Sequence, residues 1–85
     1  MQIIFSLSAA REMRKLEPEL RKRILLKLDE YRSKPMLLKG DLKRLEGSSD
    51  PELYRLRVGD YRIIVSLAPE TIQILHVFHR SRAYR

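Results

Sequence analysis

The fold can be approached from "YRLRVGDYR", residues Tyr54 to Arg62. Alternating apolar and polar residues on both sides of Gly59-Asp60 are typical of two half-buried strands joined by a two-residue turn. Glycine in the first turn position favours a type II′ turn. The stretch therefore predicts a β-hairpin. It also raises the question of why this hairpin carries three arginines, a residue type that is rarely buried.

Strand alternation assigns the two faces of the hairpin, because successive side chains point to opposite sides of a sheet. The apolar face is expected to hold Tyr54, Leu56, Val58, Tyr61, Ile63 and Val65. The other face is expected to hold Arg55, Arg57 and Arg62, within about 5 to 10 Å of one another. Like charges at that spacing repel, so the pattern indicates a face that binds an anion.

An alternative is that carboxylates at the turns neutralise the arginines by cross-strand pairing. The candidates are Glu52, Asp60 and Glu70.

Upstream of the hairpin the sequence predicts one short strand and two helices. The strand is "QIIF", and Ser8 is the expected N-cap of a helix that runs to about Leu16. Pro18 in "EPEL" fits the first turn of the second helix, which Pro35 should end. Since almost nothing joins the two helices, they are expected to form an antiparallel hairpin.

Further strands are predicted on either side of the central hairpin. A short strand is expected in "DLKRLEG", followed by the loop "GSSDP", and "IQILHVFH" follows the turn "APET". The order of elements predicts a single α+β domain over residues 1–85. Its helices should pack on one face of a mostly antiparallel, twisted sheet.

The charge of the chain points to anionic partners. Among 85 residues the net charge is +7, and all six lysines lie at or before Lys43, whereas beyond Pro51 the basic residues are arginines only. Such a balance suits phosphates, acidic proteins or an anionic membrane surface, although a merely soluble basic domain is equally compatible with it. The absence of cysteine fits the reducing cytosol, and neither a spanning helix nor a signal peptide is expected.

A second basic cluster, "HVFHRSRAYR", ends the chain. Alternation predicts that His79 shares a face with Leu75 and Val77, and that His76 shares the other with Ile74 and Phe78. The tail is either a frayed basic terminus or a binding segment whose Tyr84 stacks on a base.

The remaining residue types favour chemistry on a phosphodiester. No metal-ligand set, Ser-His-Asp motif or glycine-rich phosphate loop is recognisable. What is left is arginine, histidine and tyrosine on one expected surface. Arginines can hold the charge of a phosphodiester, and histidine or tyrosine can move a proton.

The segments "LKRLEG", "YRLRVGDYRIIVSL" and "HRSRAYR" together resemble the RelE/ParE superfamily of toxins from type II toxin–antitoxin systems. The resemblance covers nearly the whole chain, and the tail is more similar to RelE than to the gyrase-poisoning ParE branch. It implies a RelE-like fold and a metal-independent, ribosome-dependent mRNA endonuclease without a cofactor. In that reaction the messenger 2′-OH attacks the adjacent phosphate, which leaves a 2′,3′-cyclic phosphate and a 5′-OH.

The resemblance also implies the partners of the protein. They are a RelB-type antitoxin, the ribosome with mRNA in its A site, and operator DNA only through the toxin–antitoxin complex. No membrane partner is implied, and the location is cytoplasmic.

By resemblance, five residues match functional positions of the family. Arg55 and Arg57 match two basic strand positions, Arg62 matches a phosphate-binding arginine, Arg80 a catalytic arginine and Tyr84 the terminal tyrosine.

The best-studied RelE pattern has lysines at the positions of Arg55 and Arg57, and one of them is thought to act as a base. Arginine stays protonated. These arginines are therefore expected to stabilise the phosphorane, with His79 as the candidate for proton transfer.

The expected RNA contacts extend beyond the catalytic residues. They are Arg55, Arg57, Arg62, Arg82, Lys22 and Lys27. The helix lysines could equally lie on a solvated face or meet an acidic antitoxin. Two other functions stay open: a ParE-like gyrase inhibitor without nuclease activity, and an inactive relative that acts as half of a repressor pair.

Overall fold

Two helices and five strands make up the computed structural model, which describes residues 2–34, 40–50 and 52–81. In chain order they are β1 Gln2–Phe5, α1 Leu7–Arg14, α2 Pro18–Ser33, β2 Leu42–Arg44, β3 Leu53–Val58, β4 Tyr61–Ala68 and β5 Thr71–His79. The α+β class is confirmed. The expected helix stop at Pro35 lies outside the described residues, while α2 ends at Ser33.

The strands form one mixed sheet in the order β1-β5-β4-β3-β2. Among the described strands, β1 and β5 run parallel and the other neighbouring pairs run antiparallel. The two helices connect β1, at one edge of the sheet, to β2, at the opposite edge. The core lies between the sheet and the helices. It contains Ala9 and Met13 of α1, Ile24 and Leu28 of α2, and Leu56, Val58, Ile63, Val65, Ile72, Ile74 and Val77 of the strands. The prediction that the helices cover one face is therefore confirmed.

The central hairpin has the predicted register and turn. Val58 pairs with Tyr61, so the loop contains only two residues. Gly59 has φ 57°, and no described residue other than glycine has a positive φ, which fits a type II′ turn. An added Cβ at Gly59 would lie 3.0 Å from Nη2 of Arg23, a contact that a small shift of this flexible side chain relieves, so it is the positive φ that favours glycine here.

Ser6, not the predicted Ser8, caps α1. The Ser6 hydroxyl accepts a hydrogen bond from the amide of Ala9 at 3.0 Å and donates to the carbonyl oxygen of Leu75 at 2.8 Å. Ser8 lies one residue inside the helix and is exposed. Both serines suit an N-cap by type, and the bond to β5 distinguishes them.

A β-bulge at Leu75 inverts the alternation of β5. Val65 pairs with Ile74 but the neighbouring Ile64 pairs with His76, so Leu75 has no partner in the register. Ile74 and Val77 are consequently both buried, although they are three residues apart. The prediction that His76 shares a face with Ile74 is therefore wrong, whereas beyond the bulge His76 does share a face with Phe78.

A glutamate closes the edge of β5 where β1 ends. The amide of Val77 donates to Oε1 of Glu12 at 3.0 Å, and Nδ1 of His76 lies 3.6 Å from the same oxygen. The carboxylate of α1 thus satisfies a strand amide that β1 does not reach.

The two serines provide a matched test of the cap. We expect Ser6→Ala to lower the free energy of unfolding by about 1–2 kcal/mol, because it removes the cap and the bond to Leu75. We expect Ser8→Ala to change it by less than about 0.5 kcal/mol. Urea unfolding followed by circular dichroism measures both values. Equal losses in the two variants would contradict the assignment of Ser6 as the cap.

Candidate nucleic-acid interface

Four cationic side chains form two rows on the sheet face away from the helices. In one row Arg57 lies directly opposite Arg62, and in the other Arg55 lies directly opposite Lys43. Together with Gly40 and Asp41 they line one cleft. The predicted grouping of the three arginines on this face is confirmed by the strand register, and Lys43 joins them from β2.

The guanidinium of Arg62 is held against the hairpin turn. Its Nη1 donates to the carbonyl oxygen of Gly59 at 3.0 Å and to that of Tyr61 at 2.9 Å. Both contacts use one nitrogen. The contacts orient the guanidinium and leave the donors on Nε and Nη2 for an anion.

Asp41 is the counter-ion of the cleft. Its Oδ1 accepts hydrogen bonds from Nε and Nη2 of Arg57 at 3.1 and 3.0 Å, and its Oδ2 lies 2.9 Å from Nζ of Lys27. The backbone carbonyl of Asp41 also accepts the amide of Arg57 at 2.8 Å. The hydrogen bond from Lys27, followed by that from Arg57, holds the pKa of Asp41 below its usual range.

Two of the three carboxylates predicted to neutralise the arginines contact other residues instead. Asp60 is 3.5 Å from Nε of Arg80, and Glu52 accepts a hydrogen bond from the hydroxyl of Ser66 at 3.5 Å. Sequence reasoning missed both Asp41 and Lys43, although "DLKRLEG" was identified as a strand. The signal was the alternation of that short strand, which places Lys43 beside Arg55 once the register is known.

The structure does not bring His79 to the arginines. His79 pairs with Tyr61 across β4 and β5, and their rings meet edge to face at 5.3 Å between centroids. Its Nδ1 lies 2.9 Å from the hydroxyl of Ser81. The bulge places His79 on the helix side with Val77, so the expectation of histidine and arginine on one surface is corrected. Phe78, half-buried, takes the position opposite Arg62 instead.

The other predicted contact residues occupy separate places. Arg80 follows β5 and its amide donates to the carbonyl of Asp60 at 2.7 Å. Lys27 reaches the cleft edge through Asp41, whereas Lys22 lines a different groove with Leu25 and Leu26. Arg82 and Tyr84 lie outside the described residues.

Among residues 2–34, 40–50 and 52–81, no cluster of three or more histidine, cysteine, aspartate or glutamate side chains is arranged to hold a metal ion. Neither of the two helices in these ranges is long and apolar enough to cross a bilayer.

The contribution of Asp41 to stability should depend on pH. Because the folded-state pKa of Asp41 is lowered, its contribution is present above the ordinary aspartate value of about 3.9 and is lost as the pH falls through the folded-state pKa. We expect Asp41→Asn to cost about 1 kcal/mol or less at pH 7, since the pairs are near the surface. Urea unfolding of the wild type and of Asp41→Asn should show that the difference between their free energies of unfolding shrinks as the pH falls below about 4.

Asp29→Asn is a matched control, because it removes one carboxylate whose ion-pair partner, within the described residues, is Arg32 on the exposed surface of α2. This variant should be less destabilised than Asp41→Asn. If the difference in free energy of unfolding between wild type and Asp41→Asn persisted unchanged at about pH 2, the charge of the carboxylate would not be its cause.

Comparisons with known proteins place the chain in a family. Residues 3–84 match the family described as "ParE toxin of type II toxin-antitoxin system, parDE". Toxin RelE3 of Methanocaldococcus jannaschii is 33% identical over 86 residues, covering 99% of this chain and 96% of that protein.

Two solved structures share the fold across nearly the whole chain. One is a chain of the RelB–RelE antitoxin–toxin complex from Methanococcus jannaschii, with a TM-score of 0.75 and 30% identity over 95% of this chain and 94% of that one. The other belongs to the archaeal RelE–RelB complex from Pyrococcus horikoshii OT3, with a TM-score of 0.76 and 28% identity over 95% and 96%. This protein therefore belongs to the RelE/ParE superfamily of toxins from type II toxin–antitoxin systems.

Proposed function

We propose that this toxin is a ribosome-dependent mRNA endonuclease. The observation that carries the proposal is the direct opposition of Arg57 and Arg62, with Arg55 and Lys43 in the next row. Among the described residues, the one carboxylate in this cleft is Asp41. A cleft with four cations and one anion suits a ligand of high negative charge density, such as an RNA phosphodiester.

In the proposed reaction the cleft stabilises charge instead of moving protons. The 2′-oxygen attacks phosphorus, the bond from phosphorus to the 5′-oxygen breaks, and the products are a 2′,3′-cyclic phosphate and a 5′-OH. The proton lost by the 2′-OH is balanced by the proton gained at the 5′-oxygen. Arg57 and Arg62 would hold the oxygens of the doubly charged phosphorane, because arginine donates in a fixed, planar fork and stays protonated.

The tail would complete the site. We propose that Arg80, next to the hairpin turn at Asp60, adds a further cation to the transition state, and that Tyr84 stacks on a base of the codon. We propose no base or acid from the arginine rows, since arginine does not release its proton near neutral pH.

Because the proposed substrate is messenger RNA on the ribosome, we propose that the toxin binds the ribosome and acts in the cytoplasm. A net charge of +7 favours association with ribosomal RNA and messenger through phosphate contacts that weaken with salt. Lys27 and Arg82 are candidates for such contacts. Lys22 is a weaker candidate, because it lies away from the arginine cleft.

A RelB-type antitoxin is the second proposed partner, as in the RelB–RelE complexes from archaea. Leu25 and Leu26 of α2 are about half exposed and lie between Arg21, Lys22 and Arg32. An amphipathic antitoxin segment with acidic flanks would cover the leucines and pair with those cations. Contact with operator DNA would then arise only in the toxin–antitoxin complex.

A gyrase inhibitor of the ParE kind is the alternative function, because the matching family carries the ParE description. Such a toxin would block DNA gyrase without cutting RNA. Growth arrest with gyrase-linked DNA breaks and intact messenger would favour it.

The nuclease proposal can be tested in a purified translation reaction with primer extension on the messenger. The wild-type toxin should produce cuts in the codon at the A site. Arg62→Ala should reduce the cleavage rate by about 100-fold or more, because it removes a donor aimed at the developing charge. Arg11→Ala removes the same charge from an exposed position on α1 and should leave the rate unchanged within about twofold.

Both variants need a folding check by thermal unfolding, since Arg62 also bonds to the turn carbonyls. Intact messenger under conditions where translation still stops would overturn the nuclease proposal. A folded Arg62→Ala toxin with full activity would overturn the proposed role of the arginine rows.

His79 gives a separate prediction. Because its ring lies against Tyr61 on the helix side, we expect His79→Gln to keep the cleavage rate within about threefold. The pH dependence of the rate should also keep its shape. A loss of about 100-fold, together with the disappearance of one limb of the pH profile, would show that His79 transfers a proton in spite of its placement.

A further inference from the structure

We propose that Lys43 and Arg55 form a second phosphate subsite, which binds the phosphate next to the one held by Arg57 and Arg62. This inference rests on the proposed function and names the part of the substrate that each row of cations binds. The cleft would accordingly hold two consecutive phosphates of one single-stranded RNA.

The strand register places the two rows side by side. Lys43 of β2 lies directly across from Arg55 of β3, and Arg62 of β4 lies directly across from Arg57. Partners across a strand pair are about 5 Å apart at Cβ, whereas Arg55 and Arg57 are separated by about 7 Å along β3. Each row is therefore narrow enough for one phosphate, and the rows are too far apart for both to hold the same oxygen atoms.

The spacing of the rows suits the spacing of phosphates. Two residues of an extended protein chain contain as many backbone bonds as one nucleotide repeat does, so an extended RNA strand can follow β3 with one phosphate at each row. A single phosphate would leave one of the two rows without an anion. Two phosphates would offset the like-charge repulsion within each row.

The two rows differ in the contacts that their cationic side chains already make within the protein. Arg57 is paired with Asp41, and Nη1 of Arg62 bonds to the turn carbonyls. In the described part of the chain, neither Lys43 nor Arg55 has an ion pair, and the third member of their row is Ile64. Both side chains are exposed on the cleft surface. An incoming phosphate can thus bind the Lys43 row without displacing a protein carboxylate.

The two rows should also have different effects on the reaction. The phosphate at the Lys43 row does not change its bonds, so this row binds substrate and transition state equally well. Lys43→Gln should therefore raise the toxin concentration needed for half-maximal cleavage, with the maximal rate unchanged. Arg62→Ala should lower the maximal rate instead.

Short 2′-O-methyl oligonucleotides test the subsite directly, because they cannot be cut. The dinucleotide has one phosphodiester and the trinucleotide has two, with no terminal phosphate on either. At low salt, wild-type toxin should bind the trinucleotide about fivefold more tightly than the dinucleotide. Lys43→Gln should weaken trinucleotide binding more than dinucleotide binding and so remove that preference, and Arg55→Gln should reduce the preference in the same direction. Chemical-shift titration of the full chain measures both affinities.

The salt dependence adds a second readout. For wild-type toxin, the slope of log K against log salt should be steeper for the trinucleotide by about 0.7, the value for one further phosphate of a single strand. Lys15→Gln removes an exposed lysine at the end of α1, outside the cleft, and should keep the trinucleotide preference and the slope difference. Equal weakening of both oligonucleotides by Lys43→Gln, or no weakening of either, would overturn the subsite.

The outcomes separate this inference from the nuclease proposal. If the oligonucleotides behave as expected but the ribosome reaction leaves messenger intact, the nuclease proposal fails and the subsite stands. If messenger is cut at the A site and Lys43→Gln binds both oligonucleotides as wild type does, the subsite fails and the nuclease proposal stands.

Discussion

The register between β3 and β4 is the constraint on which both faces of the sheet depend. A two-residue turn at Gly59-Asp60 pairs Leu56 with Ile63 on the helix side, and the same turn pairs Arg57 with Arg62 on the other side. A one-residue slip would move arginines into the core and core residues into water. Burial of Leu56 and Ile63 therefore holds the two arginines together, although their charges repel.

The electrostatic repulsion between Arg57 and Arg62 costs only a modest free energy. Two exposed unit charges about 5 Å apart in water repel by about 0.8 kcal/mol, which is less than the gain from burying one aliphatic side chain. Asp41 offsets part of it by accepting two hydrogen bonds from Arg57, and two carbonyl oxygens fix Arg62. The protein thus keeps a cationic face assembled before any ligand arrives, so little reorganisation is needed on binding.

Strand alternation was sufficient to predict the hairpin, its turn and the faces of its arginines. It failed on β5, because the bulge at Leu75 depends on contacts distant in sequence, including the bond from the Ser6 hydroxyl. For the same reason the cap was expected at Ser8, and His79 was expected beside the arginines. The sequence did not predict Asp41 as a counter-ion, because its partners Lys27 in α2 and Arg57 in β3 are distant from it along the chain and no local pattern connects them. The roles of Arg82 and Tyr84 stay predictions.

The carboxylate of Glu12 has a consequence for association between copies of the protein. An uncovered strand edge with free amides can pair with a strand of another chain and begin aggregation. Beyond the end of β1, the amide of Val77 is occupied by Glu12 of α1, so that amide cannot join a foreign strand. At the opposite edge of the sheet, β2 offers only three residues, and the charged Lys43 and Arg44 are two of them. The toxin thereby limits edge-to-edge pairing at both ends of the same sheet that presents its cationic face.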